Sequence, residues 1–179
     1  MDAGACAVEQ VPVLETARLR LRAHRPDDHA ACAAMWADPD VVRYIGGRPS
    51  SAEETWRRML ASRGLWSMLG YGYWAVEERV GGRYVGDVGF ADFRREIEPP
   101  LAGMLECGWA LSPQVHGRGY ATEAVAAAVA WADARLPGLR AVCLIDEGNA
   151  ASIRVAAKAG FREWRRTTYH GGPSLVFAR

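Results

Sequence analysis

Residues 114–124 read QVHGRGYATEA. Gly117 and Gly119 sit between a strand-like run, AGMLECGWAL (102–111), and an alanine-rich run, ATEAVAAAVAWADARL (121–136). Glycine costs stability, so the bend needs either backbone angles that only glycine accepts or room for a close approach. In the alanine-rich run Val125, Val129, Ala132 and Leu136 form one apolar stripe, and Pro137-Gly138 end it, so a helix is predicted. Its first-turn N–H groups lack partners within the helix, and its dipole adds about half a positive charge there. A bend without side chains lets an anion reach those N–H groups, which predicts a phosphate site with His116 and Arg118 adding charge. A Walker A loop is excluded because no lysine stands where that loop needs one. A dinucleotide fingerprint fits poorly, since Thr122 takes the place of the third glycine and no obvious acidic residue ends a following strand. A tight strand-to-helix turn, with glycines for geometry alone, is the competing reading.

Working outward, LRAVCLI (139–145) has strand length, so 102–145 reads as strand, helix, strand. Such a unit makes its two strands parallel neighbours. NAASIRVAAKAG (149–160) reads as a helix capped by Asn149 and stopped by Gly160. FREWRRTTYH (161–170) and SLVFAR (174–179) read as a strand pair across Gly171-Gly172-Pro173. Upstream, GYGYWAVEER (70–79) and RYVGDVGFAD (83–92) form a hairpin across Val80-Gly81-Gly82. A charged, proline-containing loop, 92–101, follows. RLRLRAH (18–24) alternates like a half-buried strand. Asp27 or Asp28 is expected to cap a helix that turns Cys32, Met35 and Trp36 inward and ends at Pro39. Ser51 and Glu54 form a capping box for a helix carrying Trp56, Met59, Leu60 and Arg63, with Gly64 as its stop. The sum is a mixed, mostly antiparallel sheet with helices on both faces.

Composition narrows the function. With 179 residues, half of them hydrophobic, the chain suits one domain over 11–179, and residues 1–10 are expected to be a disordered tail. A net charge of +1 gives no footprint for nucleic acid or an anionic membrane, and Arg94, Arg95, Arg165 and Arg166 read as solvated. Cys6, Cys32, Cys107 and Cys143 show no metal-ligand spacing, and a reducing cytoplasm fits them best. No apolar run approaches the roughly 20 residues of a membrane span, and 1–10 lack the features of a signal peptide.

Gln114-Val115-His116-Gly117-Arg118-Gly119 fits the [RQ]-x-x-G-x-[GA] motif of the GNAT acyl-CoA N-acyltransferases, placed after a strand and before a helix as that family requires. NAASIRVAAKAGF (149–161) resembles the family's second cofactor segment. LETARLRLRAHRPDD (14–28), ADPDVVRYIGG (37–47) and YVGDVGF (84–90) resemble the branch containing ribosomal-protein N-terminal acetyltransferases. The resemblance covers about residues 13–179 and implies the GNAT fold, an α/β sheet of about seven strands splayed between its central parallel pair. It implies acetyl-CoA as cosubstrate and no metal. Gln114, His116, Gly117, Arg118, Gly119, Tyr120, Ala121 and Thr122 are then expected at the diphosphate. The backbone of Trp109, Ala110 and Leu111 is expected along the pantetheine arm, and Asn149 and Ser152 beside its lower part. The expected partners are an amine acceptor, small molecule or protein N-terminus, in a monomer or homodimer; an acyl-CoA-binding module without transfer activity is the alternative.

Direct transfer needs a base, oxyanion donors and a proton for the thiolate. Glu106 is expected as base, His170 being the weaker candidate, and N–H groups near Trp109 to Leu111 as donors. The tyrosine that the family often uses as acid is replaced here by Ala156, which leaves Ser152 as the nearest hydroxyl. Glu123 is expected to be a helix-start carboxylate, and Cys107 to serve packing. Trp66, Tyr71, Tyr73 and Trp74 are expected mainly in the core. A site without a strong base suits an α-amine, with a pKa near 8, better than a lysine amine near 10.4.

Overall fold

The computed structural model describes residues 11–179; the expected tail over 1–10, with Cys6, lies outside them. The strands are β1 (Leu14–Glu15), β2 (Leu19–Arg22), β3 (Tyr73–Glu78), β4 (Tyr84–Ala91), β5 (Leu105–Leu111), β6 (Ala141–Asp146), β7 (Arg162–Tyr169) and β8 (Gly172–Ala178). The helices are α1 (His29–Trp36), α2 (Pro39–Val42), α3 (Ala52–Leu69), α4 (Tyr120–Arg135) and α5 (Ala150–Lys158). The strands form one sheet in the order β1-β2-β3-β4-β5-β6-β8-β7. Eight strands replace the expected seven because two-residue β1 pairs with β2. Among the described residues only β5 and β6 run parallel, as the strand–helix–strand reading required.

Side-chain alternation divides the sheet into two faces. Leu19, Leu21, Trp74, Val76, Val88, Phe90, Cys107 and Cys143 pack beneath α4 and α5. Ala75, Tyr84 and Ala110 pack on the opposite face against Cys32, Met35, Trp36, Val42 and Met59 from the α1–α3 layer. Beyond β5, the loop 92–104 covers that face with Leu101, Ile97 and Met104 over Val142 and Val176.

Three local expectations fail for physical reasons. Asp28 does not cap α1; it is buried, and both its oxygens accept from Arg22 at 2.7 Å, so a salt bridge outbids the cap. Pro39 opens a further helix instead of ending the first one, because Asp38 caps it and proline suits an N-terminal turn. The third is α3, which runs past Gly64 to Gly70, whose φ of 73° makes it the left-handed cap. A mid-helix glycine costs about 1 kcal/mol. The Ser51–Glu54 capping box and the burial of Met59 and Trp66 outweigh it. The buried face of α3 is Thr55, Met59, Ser62 and Trp66, leaving Trp56 36% and Leu60 54% exposed. Trp66 meets Trp74 and Trp131 edge-to-face, with centroids 4.7–5.4 Å apart.

Candidate active site

The site begins where β5 and β6 part. They pair only at Leu105–Ala141 and Glu106–Val142, and among the described residues the rest of β5 has no neighbour on that side. Leu105 N–H donates to Arg140 O on the β6 side, and Ser112 N–H donates to Val85 O on the β4 side, both at 2.9 Å. Alternation therefore turns the backbone of Cys107, Trp109 and Leu111 into the gap, and that of Gly108 and Ala110 toward β4. Of the expected arm-binding strand residues, Trp109 and Leu111 face the gap by their backbone and Ala110 does not. His116 Nε2 donates to Leu111 O at 2.9 Å, so that carbonyl is already occupied.

Because β5 and β6 are parallel, their C-terminal ends and the helices that follow open on the same edge. Ligands of open α/β sheets gather at such edges. Gly117 and Gly119 adopt φ of 72° and 77°. A Cβ on Gly117 would meet nothing within 4 Å, and one on Gly119 only Arg18 Nη2 at 3.5 Å. The bend thus selects glycine for its backbone angles. Among the described residues, the N–H groups of Gly117, Gly119, Tyr120, Ala121 and Thr122 have no hydrogen-bond acceptor within the protein. Five outward donors at one helix start make an anion cradle.

The side chains around this cradle are held in place. Arg118 donates to Tyr120 Oη at 2.7 Å and approaches Glu78 at 3.4 Å. Gln114 Oε1 accepts from Arg83 at 2.8 Å. Glu123 accepts from Thr16 Oγ1, Arg18 N–H and Arg18 Nε at 2.6, 2.9 and 2.7 Å, so it ties the β1–β2 turn to the first turn of α4. Burial raises its pKa, but these donors outweigh burial and hold it below the usual carboxylate range. Arg18 also lies over the Tyr120 ring, 4.6 Å from its centroid, and donates to Arg118 O. Nothing in the local sequence of Arg18 marks it; its place comes from contacts with residues about a hundred positions away.

Across the gap, Asn149 caps α5, accepting from Ser152 N–H at 3.0 Å. The Ser152 hydroxyl makes no hydrogen bond among the described residues. Ala156 is wholly buried in the core.

Glu106 is 6% exposed and is not an edge glutamate. Arg95 grips it, with Nε 2.9 and 2.8 Å from its two oxygens and Nη2 2.6 Å from Oε1. Arg95, read from sequence as solvated, lies between the Phe93 and Tyr169 rings, 4.5 and 4.7 Å from their centroids, and also donates to Tyr169 Oη. A cleft of about 530 Å³ opens there, lined by Phe93, Arg95, Glu96, Ile97, Tyr169 and His170 among others. His170 stacks on Tyr169 with centroids 3.9 Å apart, in the β7–β8 turn. Cys107 is fully packed, and burial pushes its thiol well up, which suits a core residue rather than a nucleophile. Among the described residues no cluster of His, Cys, Asp and Glu is arranged to hold a metal, and no helix is long and apolar enough to cross a membrane.

The chain is similar to known proteins over nearly its whole length. The acetyltransferase (GNAT) domain matches residues 18–162. The uncharacterized N-acetyltransferase YoaA of Bacillus subtilis is 26% identical over 85% of this chain and 84% of its own. A GnaT-family acetyltransferase from Bordetella pertussis superposes with a TM-score of 0.84 at 30% identity, covering 94% of this chain and 99% of that one. The RimL ribosomal L7/L12 alpha-N-protein acetyltransferase, solved in complex with coenzyme A, shares the fold at 18% identity, with a TM-score of 0.74 and coverage of 94% and 97%. The edge donors, the splayed strands and the matched domain lead to one conclusion: this chain belongs to the GNAT acetyltransferase family and is an N-acetyltransferase.

Proposed function

We propose that the protein transfers an acetyl group directly from acetyl-CoA to a primary amine, favouring the α-amine of a protein N-terminus or a comparably weak small-molecule base. The observation that carries this is the set of five unpaired N–H groups at the start of α4, beside the open edge of β5. Those donors suit a diphosphate, with Gln114 and His116 through Thr122 lining it. The free backbone groups of Trp109 and the Leu111 N–H suit the amides of the pantetheine arm, with Ala110 on the same strand completing the register. Asn149 and Ser152 stand on the far bank. Acetyl-CoA supplies an activated acyl carbon; the C–N bond forms as the C–S bond breaks.

The chain's own residues must move two protons. Glu106 takes the ammonium proton through a water molecule on Oε2: Arg95 makes two hydrogen bonds to Oε1 and one to Oε2, so Oε2 keeps the free lone pair. As the C–S bond breaks the nitrogen gives up its second proton, and in this reading the Ser152 hydroxyl protonates the thiolate while taking up that proton through water, so the serine ends as it began. A base so tightly engaged favours amines that are already partly neutral. An α-amine is neutral roughly a tenth of the time at pH 7, a lysine amine far less than a hundredth. The open cleft beside Arg95 admits such an acceptor. Three free, buried thiols, Cys32, Cys107 and Cys143, support a cytoplasmic location.

Calorimetry with CoA tests the donor site. Gly117→Glu places a carboxylate among the donors and is expected to abolish binding, whereas Gly117→Asn, which tolerates φ of 72°, keeps most of it. Undiminished binding by the Glu variant would remove the cradle from the reading. Thiol release from acetyl-CoA with a panel of unblocked peptides and small amines then tests the acceptor class.

A further inference from the structure

Tyr73 belongs to β3, yet its hydroxyl ends two strands away. Tyr73 pairs with Gly89 of β4, and Gly89 pairs with Gly108 of β5. With no side chain on either glycine, the phenol lies across β4 and reaches β5. A Cβ on Gly108 would stand 2.1 Å from Tyr73 Oη and 3.2 Å from its Cζ. Gly108 has an ordinary negative φ, so space, not backbone angle, is what requires glycine there. The hydroxyl therefore rests directly over the strand whose next-door residues, Cys107 and Trp109, turn their N–H groups into the gap.

This hydroxyl is otherwise unexplained. Among the described residues it makes no hydrogen bond, although its ring is largely packed and leans toward Phe93, with centroids 6.5 Å apart. It shares its face of the sheet with Glu106, and the acceptor cleft lies on that side. Helices α4 and α5 cover the opposite face, so Tyr73 and Ser152 approach the gap from different sides. The ring is packed while the hydroxyl, beside Gly108 on the face of β5, has no partner among the described residues and stays open to an acceptor.

We propose that Tyr73 is a catalytic residue: its hydroxyl donates a hydrogen bond to the acyl oxygen of the bound thioester, supplementing the β5 N–H groups as negative charge develops there. The assignment rests on the acetyl-CoA reading above. No proton is transferred; the phenol keeps its hydrogen throughout. Burial, and then the charge of Glu106, raise its pKa well above the usual tyrosine value, which keeps it protonated over the whole working range. Donors of this kind are effective because they are fixed before the charge appears.

The test needs no knowledge of the acceptor. Acetyl-CoA labelled with ¹³C at the carbonyl is bound to the wild type and to Tyr73→Phe, and the carbonyl stretch is read by difference infrared spectroscopy. The bound band is expected below that of free acetyl-CoA in the wild type and to move back toward it in Tyr73→Phe. Calorimetry is expected to show acetyl-CoA affinity within about threefold. With the best amine of the panel, kcat is expected to fall by about 10²-fold at unchanged acceptor KM. Gly108→Ala, which displaces the hydroxyl, is expected to lose the same band shift; Gly108→Ala with Tyr73→Phe regains thermal stability but not turnover. Identical bands in wild type and Tyr73→Phe overturn the assignment while leaving the cofactor reading intact. Failure of the wild type to bind acetyl-CoA overturns both.

Discussion

Glu106 and Arg95 carry the sharpest single-residue question. Glu106→Gln is expected to lower kcat by about tenfold or more, with little change in CoA affinity. Arg95→Gln frees the carboxylate and is expected to retain more activity than Glu106→Gln. Steady-state kinetics on the two variants separates a proton acceptor from a mere anchor for Arg95; equal losses would favour the anchor. The glycines of the bend were legible in sequence, because a positive φ leaves few alternatives to glycine. The partner of Glu106 was not. Arg95 sits in an irregular loop with no periodicity to aim it, and Tyr169 comes from a strand 63 residues beyond Glu106 in the sequence. Tyr73 was hidden for a related reason: its reach depends on the register of three strands, which alternation alone does not set.

The third helix, α3, shows how local signals compete at the level of an element. Its start was legible from Ser51 and Glu54, and its end was not, since Gly64 looks like a stop and Gly70 is one. Gly64 has open space around its missing Cβ and an ordinary φ, so Gly64→Ala is expected to stabilise the protein by about 1 kcal/mol in urea unfolding. Glu54 gives a pH test of the same helix. Hydrogen bonds from Arg48, and then from the Ser51 N–H, hold its pKa down to about 2. A depressed carboxylate stabilises the fold fully above its unfolded pKa of about 4.5 and loses that contribution as pH falls through about 2. The stability gap between wild type and Glu54→Gln is therefore expected to be constant above about pH 5 and to close between about pH 4.5 and 2. A gap that persists at pH 2 would mean the carboxylate charge is not what matters. Asp28 taught the converse lesson: a residue with the right chemistry for a cap went to Arg22 because a buried guanidinium has the greater need.

For the molecule as a whole, the strand–helix–strand unit and the hairpins were legible because period-2 runs and turn residues agree with one another. The incomplete pairing of β5 and β6 has no such local mark; it came only with the family resemblance. Amide exchange gives its direct readout. The Trp109 N–H points into the gap and is expected to exchange quickly in the free protein and slowly once CoA is added, while the Leu105 N–H, bonded to Arg140 O, stays protected in both. Equal protection of Trp109 with and without CoA would argue against the arm lying on that edge.

The parting of the two central strands has a mechanical consequence. Five strands on one side and three on the other are joined along the ladder by a seam only two residue pairs deep. Whatever lies in that notch with hydrogen bonds to one bank and packing on the other supplies the missing stitches. A saturating guest at a hundred times its dissociation constant adds about 2.7 kcal/mol. A substrate bound there, as proposed, would add that gain at the shallow seam itself and act as a temporary rung of the framework that positions it.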